Sequence, residues 1–222
     1  MFKAVIFDMD GTMVDTEVFH SMAYEEVLKH FGADYKSRFE TMDMKRRGLL
    51  HADVAEMTIK EFEMDITVEE FLAFRKQAYM KKLLETDIKP RENLKNFLKE
   101  LKQKGIRLAV ASSSFQDEVQ YVTQKIGVHE YFEEFVSGDQ ITNGKPAPDI
   151  FLKAAALIAQ NPDDCIVFED AKAGIKAGNS ANMAVIAYKT DDTDISELSE
   201  AYFVCTNYGQ LSYKALEELF SI

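Results

Sequence analysis

The run Ala4-Val5-Ile6-Phe7 passes directly into Asp8-Met9-Asp10-Gly11-Thr12, and no other feature constrains the chain as strongly. A short apolar stretch with a β-branched centre, stopped abruptly by glycine, reads as a fully buried strand. In an open α/β sheet, ligands gather at the carboxyl ends of such strands. Asp8 and Asp10 leave the strand on the same side, because side chains alternate with a period of two. Two adjacent carboxylates are costly unless a cation or a shared proton compensates. The alternative is an Asp-rich turn whose side chains bond only the local backbone.

Three further segments have the same build. Residues 106–111 are apolar and end in Ser112-Ser113-Ser114. Residues 165–168 are apolar and end in Glu169-Asp170. Between them, Gly144-Lys145-Pro146-Ala147-Pro148-Asp149 sets a lysine beside two prolines, ahead of an apolar-periodic segment. With these four motifs in this order, the chain resembles the haloacid dehalogenase superfamily, whose motif residues match Asp8/Asp10, Ser112, Lys145 and Glu169/Asp170. The match runs over essentially the whole chain.

Bulk properties exclude several other classes. Lys and Arg total 26 against 38 Asp and Glu, a formal net charge of −12, which argues against binding nucleic-acid phosphates or an anionic membrane. No apolar stretch reaches the roughly 18–20 residues that a transmembrane helix needs. The N-terminus reads as a strand without the h-region of a signal peptide. Cys165 and Cys205 fall in predicted buried strands and read as core thiols. A cytoplasmic protein is expected, and nothing in the chain demands more than a monomer.

Strand–helix alternation predicts a doubly wound parallel sheet, a Rossmann-like α/β core, with right-handed crossovers. Between 16 and about 85 the pattern is helical instead. Met22, Val27, Leu28 and Phe31 are spaced for one helix, then Val54, Met57, Ile59 and Phe62, then Phe71, Leu72, Phe74 and Met80. The expected division is therefore a core of residues 1–15 and 88–222 with an inserted α-helical segment, 16–87. By its position this insertion resembles the helical cap of the family's first capped subclass, which chooses the substrate. Thr16, Glu17 and His20 lie at its entrance, where His20 could reach the site or simply pack on its helix.

The resemblance implies a phosphatase of small phosphorylated metabolites, of sugar-phosphate or nucleotide type. Asp8 would be the nucleophile, forming an aspartyl-phosphate, and Asp10 the acid/base. Gly11 permits the sharp turn, and Thr12 would lend a hydroxyl or amide to the phosphoryl group. Ser112 would donate a hydrogen bond to that group, with Ser113 beside it, and Lys145 would stabilise transition-state charge. Ser114 and Asp117 stand at capping-box spacing for the following helix. Asp8, Glu169 and Asp170 would cluster hard oxygens, with no His or Cys nearby to suit zinc, which favours Mg²⁺. The implied ligands are the side chains of Asp8 and Asp170 and the backbone carbonyl of Asp10. Glu169 is either a further ligand or the partner of a metal-bound water.

The family also contains β-phosphoglucomutases, and Asp15-Thr16 with His20 resembles them. Those mutases present an arginine shortly after a cap glycine to hold a distal phosphate. If that glycine is Gly48, the matching position here is His51, with Arg46 and Arg47 just before it, which favours plain hydrolysis over the mutase alternative. A dehalogenase would not need the second aspartate, and a binding module with a vestigial site would be expected to have lost a charged motif residue.

Overall fold

The computed structural model describes residues 2–33 and 46–220. Its centre is one all-parallel sheet of β1 (Ala4–Phe7), β2 (Arg107–Ala111), β3 (Glu134–Val136), β4 (Cys165–Glu169), β5 (Ala184–Tyr188) and β6 (Phe203–Cys205). The order is β3-β2-β1-β4-β5-β6, so the winding direction reverses beside β1. Ligand crevices of open sheets form at such reversals. β1 is hydrogen-bonded on both edges, to β2 and β4, and all four of its residues are buried.

The two faces of the sheet are built differently. Val5, Phe7, Leu108, Val110, Ile166 and Phe168 share one cluster, where the Phe7 and Phe168 rings stack with centroids 4.8 Å apart. This face is covered by α4 (Leu94–Gln103), α5 (Gln116–Lys125) and α8 (Tyr213–Leu219). Ala4, Ile6, Ala109, Ala111, Val167 and Val185 line the other, under α6 (Asp149–Leu157) and α7 (Lys172–Ser180). Small residues let α7 approach closely: a Cβ on Gly178 would lie 2.5 Å from Val185 Cγ2. Truncating Phe7 to alanine would cost about 3–5 kcal/mol through lost burial and a cavity.

Between β1 and α4 run α1 (Glu17–His30), α2 (His51–Glu61) and α3 (Val68–Glu85), with an apolar cluster of their own around Tyr24, Val27, Val54, Ala55 and Phe71. The two crossings into this helical segment are tied together. Val14 pairs with Pro90, Arg91 N donates to Met13 O (2.8 Å), and the Arg91 guanidinium caps the Gly11 carbonyl (2.9 and 3.1 Å). The segment also docks on the core. Ser113 Oγ donates to Gly48 O at 2.7 Å, and Leu50 fills a notch where any Cβ on Gly144 would lie 2.4 Å from its Cγ.

Two local readings are corrected by the structure. Ser114 does not cap α5, whose N-cap is Phe115; its hydroxyl is drawn to Asp10 instead. Met22 and Met57 face outward, 40% and 42% exposed, while the buried side of α1 carries His20 and Tyr24. Hydrophobic spacing placed Val27 and Leu28 correctly on the buried face but missed His20 and Tyr24, whose polar atoms have buried partners. Cys165 and Cys205 are buried free thiols, as expected, and burial pushes them up to about 11 and about 12. Among the described residues no helix is long and apolar enough to cross a membrane.

Candidate active site

The carboxyl end of β1 delivers Asp8 to the crevice, and its amide extends the ladder by donating to Phe168 O at 2.9 Å. Lys145, 1% exposed, reaches in from the loop before α6. Its ammonium donates to Asp8 Oδ1 (2.5 Å), Glu169 Oε1 (2.7 Å) and Ala111 O (3.5 Å). Burial works to lower the Lys145 pKa, but the Asp8 and Glu169 carboxylates outweigh it and hold the amine charged. The second Glu169 oxygen accepts from the Ala171 amide at 2.6 Å, so both are engaged. Gly174 makes this possible, since a Cβ there would lie 1.8 Å from Glu169 Oε1.

Asp170 stands on the far side of Asp8 and accepts from Thr12 Oγ1 at 2.9 Å. The Thr12 side chain is thus turned to a carboxylate and fully buried. Gly11 is required twice over: its φ is +78°, and a Cβ would lie 2.1 Å from Asp170 Oδ2. Burial, with the neighbouring carboxylates, pushes the pKa of both Asp8 and Asp170 well above the usual range; Lys145 only partly offsets this at Asp8.

Asp10 has the opposite environment. Its Oδ1 accepts from Thr16 Oγ1 (2.5 Å) and Tyr79 OH (3.3 Å), and lies 3.0 Å from His20 Nε2. Its Oδ2 accepts from Ser114 Oγ (2.8 Å) and Ser112 Oγ (3.3 Å). Burial alone would raise its pKa; the pairing with His20 and these hydrogen bonds prevail and hold it far below the usual carboxylate range. His20, for which the sequence left open reaching the site or packing on its own helix, reaches the site, where it addresses Asp10 rather than Asp8 or Asp170.

His20 is itself fixed from behind. Its Nδ1 contacts Arg75 Nη2, and its ring stacks on Tyr79 with centroids 4.2 Å apart. A guanidinium can only donate, so Nδ1 accepts and the proton sits on Nε2, facing Asp10. Arg75 also donates to Glu118 Oε1 at 2.5 Å, both residues being wholly buried. Sequence reasoning missed Arg75, Tyr79 and Glu118, because charged residues in helices look like solvated surface. The usable signal was positional: Arg75 and Tyr79 share the α3 face that Phe71, Ala78 and Leu83 bury.

The carboxylates open into a small cavity of about 30 Å³, lined also by Glu17, His20, Tyr24, Arg46, His51 and Ser113. The site brings together Asp8, Asp10, Ser112, Lys145, Glu169 and Asp170, with His20 and Ser113 at its edge, while Gly11 and Thr12 shape the loop beneath. The donor type suits a hard divalent cation: Asp8 and Glu169 share one ammonium, Asp170 has none, and all three offer only oxygen.

Residues 5–188 match the model of the haloacid dehalogenase-like hydrolase family. A phosphorylated carbohydrates phosphatase from Thermotoga maritima is 33% identical over 183 residues, 82% of each chain. The fructose-1-phosphate phosphatase YqaB of Escherichia coli is 32% identical over 190 residues, 83% of this chain and 95% of that one. The crystal structure of a β-phosphoglucomutase from Clostridium difficile superposes with a TM-score of 0.86 at 25% identity, over 100% of this chain and 98% of that one. The chain belongs to the haloacid dehalogenase-like hydrolase family.

Proposed function

We propose that this enzyme, a phosphoric monoester hydrolase, is a Mg²⁺-dependent phosphatase of small phosphorylated metabolites that works through an aspartyl-phosphate on Asp8. The observation that carries this is the pairing of two aspartates in opposite environments, one held by Lys145 and one by hydroxyls and His20. Neighbouring carboxyl groups with separated proton affinities divide into distinct chemical roles.

Asp8 attacks phosphorus while Lys145 offsets charge on the nucleophile and the transferring oxygens. Asp10 takes up the proton that the phosphate monoanion brings and passes it to the leaving oxygen, then takes one from the water that attacks the phosphoenzyme. Empty, the site holds Asp10 as a carboxylate, ready as a base; an arriving phosphate brings negative charge that raises its proton affinity for the acid step. The Nε2–H of His20 aims Asp10 in both steps. Asp8, Asp170 and the Asp10 carbonyl would hold Mg²⁺, which supplies neutralising charge to the phosphoryl group. In this reading Glu169, with both oxygens engaged, holds Lys145 rather than the metal. Residues 16–87 act as a cap whose docking excludes water.

The likeness to a β-phosphoglucomutase along the whole chain favours a mutase as the second reading. One assay separates them: incubation with β-glucose 1-phosphate and glucose 1,6-bisphosphate, with Mg²⁺ and with EDTA. Metal-dependent release of free phosphate supports the phosphatase; conversion to glucose 6-phosphate with little free phosphate supports the mutase.

A further inference from the structure

Two carboxylates of the core grip the helical segment at opposite ends of one line of buried groups. Asp10 Oδ1 lies 3.0 Å from His20 Nε2, His20 Nδ1 contacts Arg75 Nη2, and Arg75 Nη1 donates to Glu118 Oε1 at 2.5 Å. The outer members belong to the loop after β1 and to α5, the inner two to α1 and α3. The other Glu118 oxygen accepts from the Phe115 amide at 3.3 Å and faces His51 Nε2 of α2 at 3.4 Å. A single core carboxylate therefore meets two helices of the segment.

The ion pair is not needed to dock α3 on α5. Ala78, Tyr79 and Leu83 share an apolar cluster with Val119 and Val122, and Lys125 caps the Leu83 carbonyl. Lys76 and Asp117, 2.7 Å apart at the exposed rim, add little. Nor does a buried ion pair stabilise much by itself, since desolvation offsets most of its attraction. What Glu118 supplies is direction. With one guanidinium nitrogen held by the carboxylate, the other is fixed against His20 Nδ1, which can then only accept. Without Glu118 the guanidinium is free to turn, Nδ1 can carry the proton, and Nε2 no longer donates to Asp10. Burial works to raise the Glu118 pKa, but Arg75 outweighs it and keeps the pair ionised near pH 7.

We propose that Glu118 is a positioning residue for hydrolysis of the phosphoenzyme: by holding Arg75 it keeps the His20 proton on Nε2, and so keeps Asp10 aimed at the attacking water. The inference rests on the phosphatase reading and extends it to a core residue that never touches substrate.

The test is the full chain with p-nitrophenyl phosphate and Mg²⁺, following kcat, KM and, after rapid quenching, the fraction of chains phosphorylated on Asp8. This leaving group needs no proton, so the step that needs Asp10 is the second one. Glu118→Gln should lower kcat about tenfold, part of the roughly 10²–10⁴-fold that a positioned acid/base contributes. KM should stay level or fall, and the phosphorylated fraction at saturation should rise toward that of Asp10→Asn. Glu118→Asp, which keeps the charge, should recover part of kcat and reduce the build-up. A merely structural role would remove active chains and lower kcat and the phosphorylated fraction together. That result, or a build-up in Asp10→Asn with none in Glu118→Gln, would overturn the inference and leave the phosphatase reading standing. Absence of phosphate from Asp8 in both variants would overturn both. Should Glu118→Gln not fold, Glu118→Leu combined with Arg75→Met strands no charge and decides in its place: a build-up supports the inference, and none overturns it.

Discussion

Asp8 and Asp10 are two residues apart yet have opposite proton affinities, and the surroundings explain the contrast. Asp8 is crowded by Glu169 and relieved by one ammonium, whereas Asp10 accepts hydrogen bonds at both oxygens. Asp8→Asn should therefore abolish phosphate release while preserving the fold, because it removes one buried charge from a site with too many. Near-wild-type turnover with an unchanged far-UV spectrum would exclude the covalent route. With p-nitrophenyl phosphate, whose leaving group needs no proton, Asp10→Asn should form the phosphoenzyme and fail to hydrolyse it. Gly174→Ala is a sharper structural probe: a methyl 1.8 Å from Glu169 Oε1 must displace the carboxylate that holds Lys145. Activity should fall at least as steeply as stability, and a variant with full activity would show that Glu169 does not position the lysine.

Among the elements, α3 and α5 meet through a wholly buried ion pair, Arg75 with Glu118. Removing one partner strands the other charge, so Glu118→Gln should cost about 3–5 kcal/mol of stability; a loss below ~1 kcal/mol in a denaturant titration would contradict this. The same cluster sets a pH dependence. His51 is lowered from 6.5 to about 4, so as pH falls below about 6.5 the unfolded chain takes up this proton first. Its contribution, on the order of a few kcal/mol, is present above pH 6.5 and lost between there and pH 4. Glu118, lowered to about 2 by Arg75 and His51 against its burial, adds stability above about 4.5 that is lost as pH falls toward 2. Wild type should lose stability between pH 7 and 4, and His51→Phe should lose less; identical pH profiles would refute the assignment. Of this cluster the sequence offered only His51, as the position that follows the cap glycine. The strands were legible, because apolar runs at β1, β2 and β4 end abruptly in polar motifs. Arg75 and Glu118 were hidden because a buried charge is recognised by its partner, and these partners are 43 residues apart. His20 was legible only as an ambiguity until Arg75 fixed its tautomer.

For the molecule as a whole, the reversal of winding beside β1 places the motif residues at one crevice, and Glu17, His20, Tyr24, Arg46 and His51 of the helical segment share in its lining. Chelation should abolish activity and Mg²⁺ should restore it; Mg²⁺ should also raise the thermal midpoint by relieving repulsion among Asp8, Glu169 and Asp170. A midpoint indifferent to Mg²⁺ would remove the argument from charge. The central claim is the covalent step, and rapid quenching of Asp10→Asn with substrate and Mg²⁺, followed by peptide mass analysis, tests it most directly. One phosphoryl group should be added to the peptide bearing Asp8, and it should be absent when Asp8 is also replaced by asparagine. A substrate-saturated enzyme that releases its leaving group yet never carries phosphate on Asp8 would contradict it.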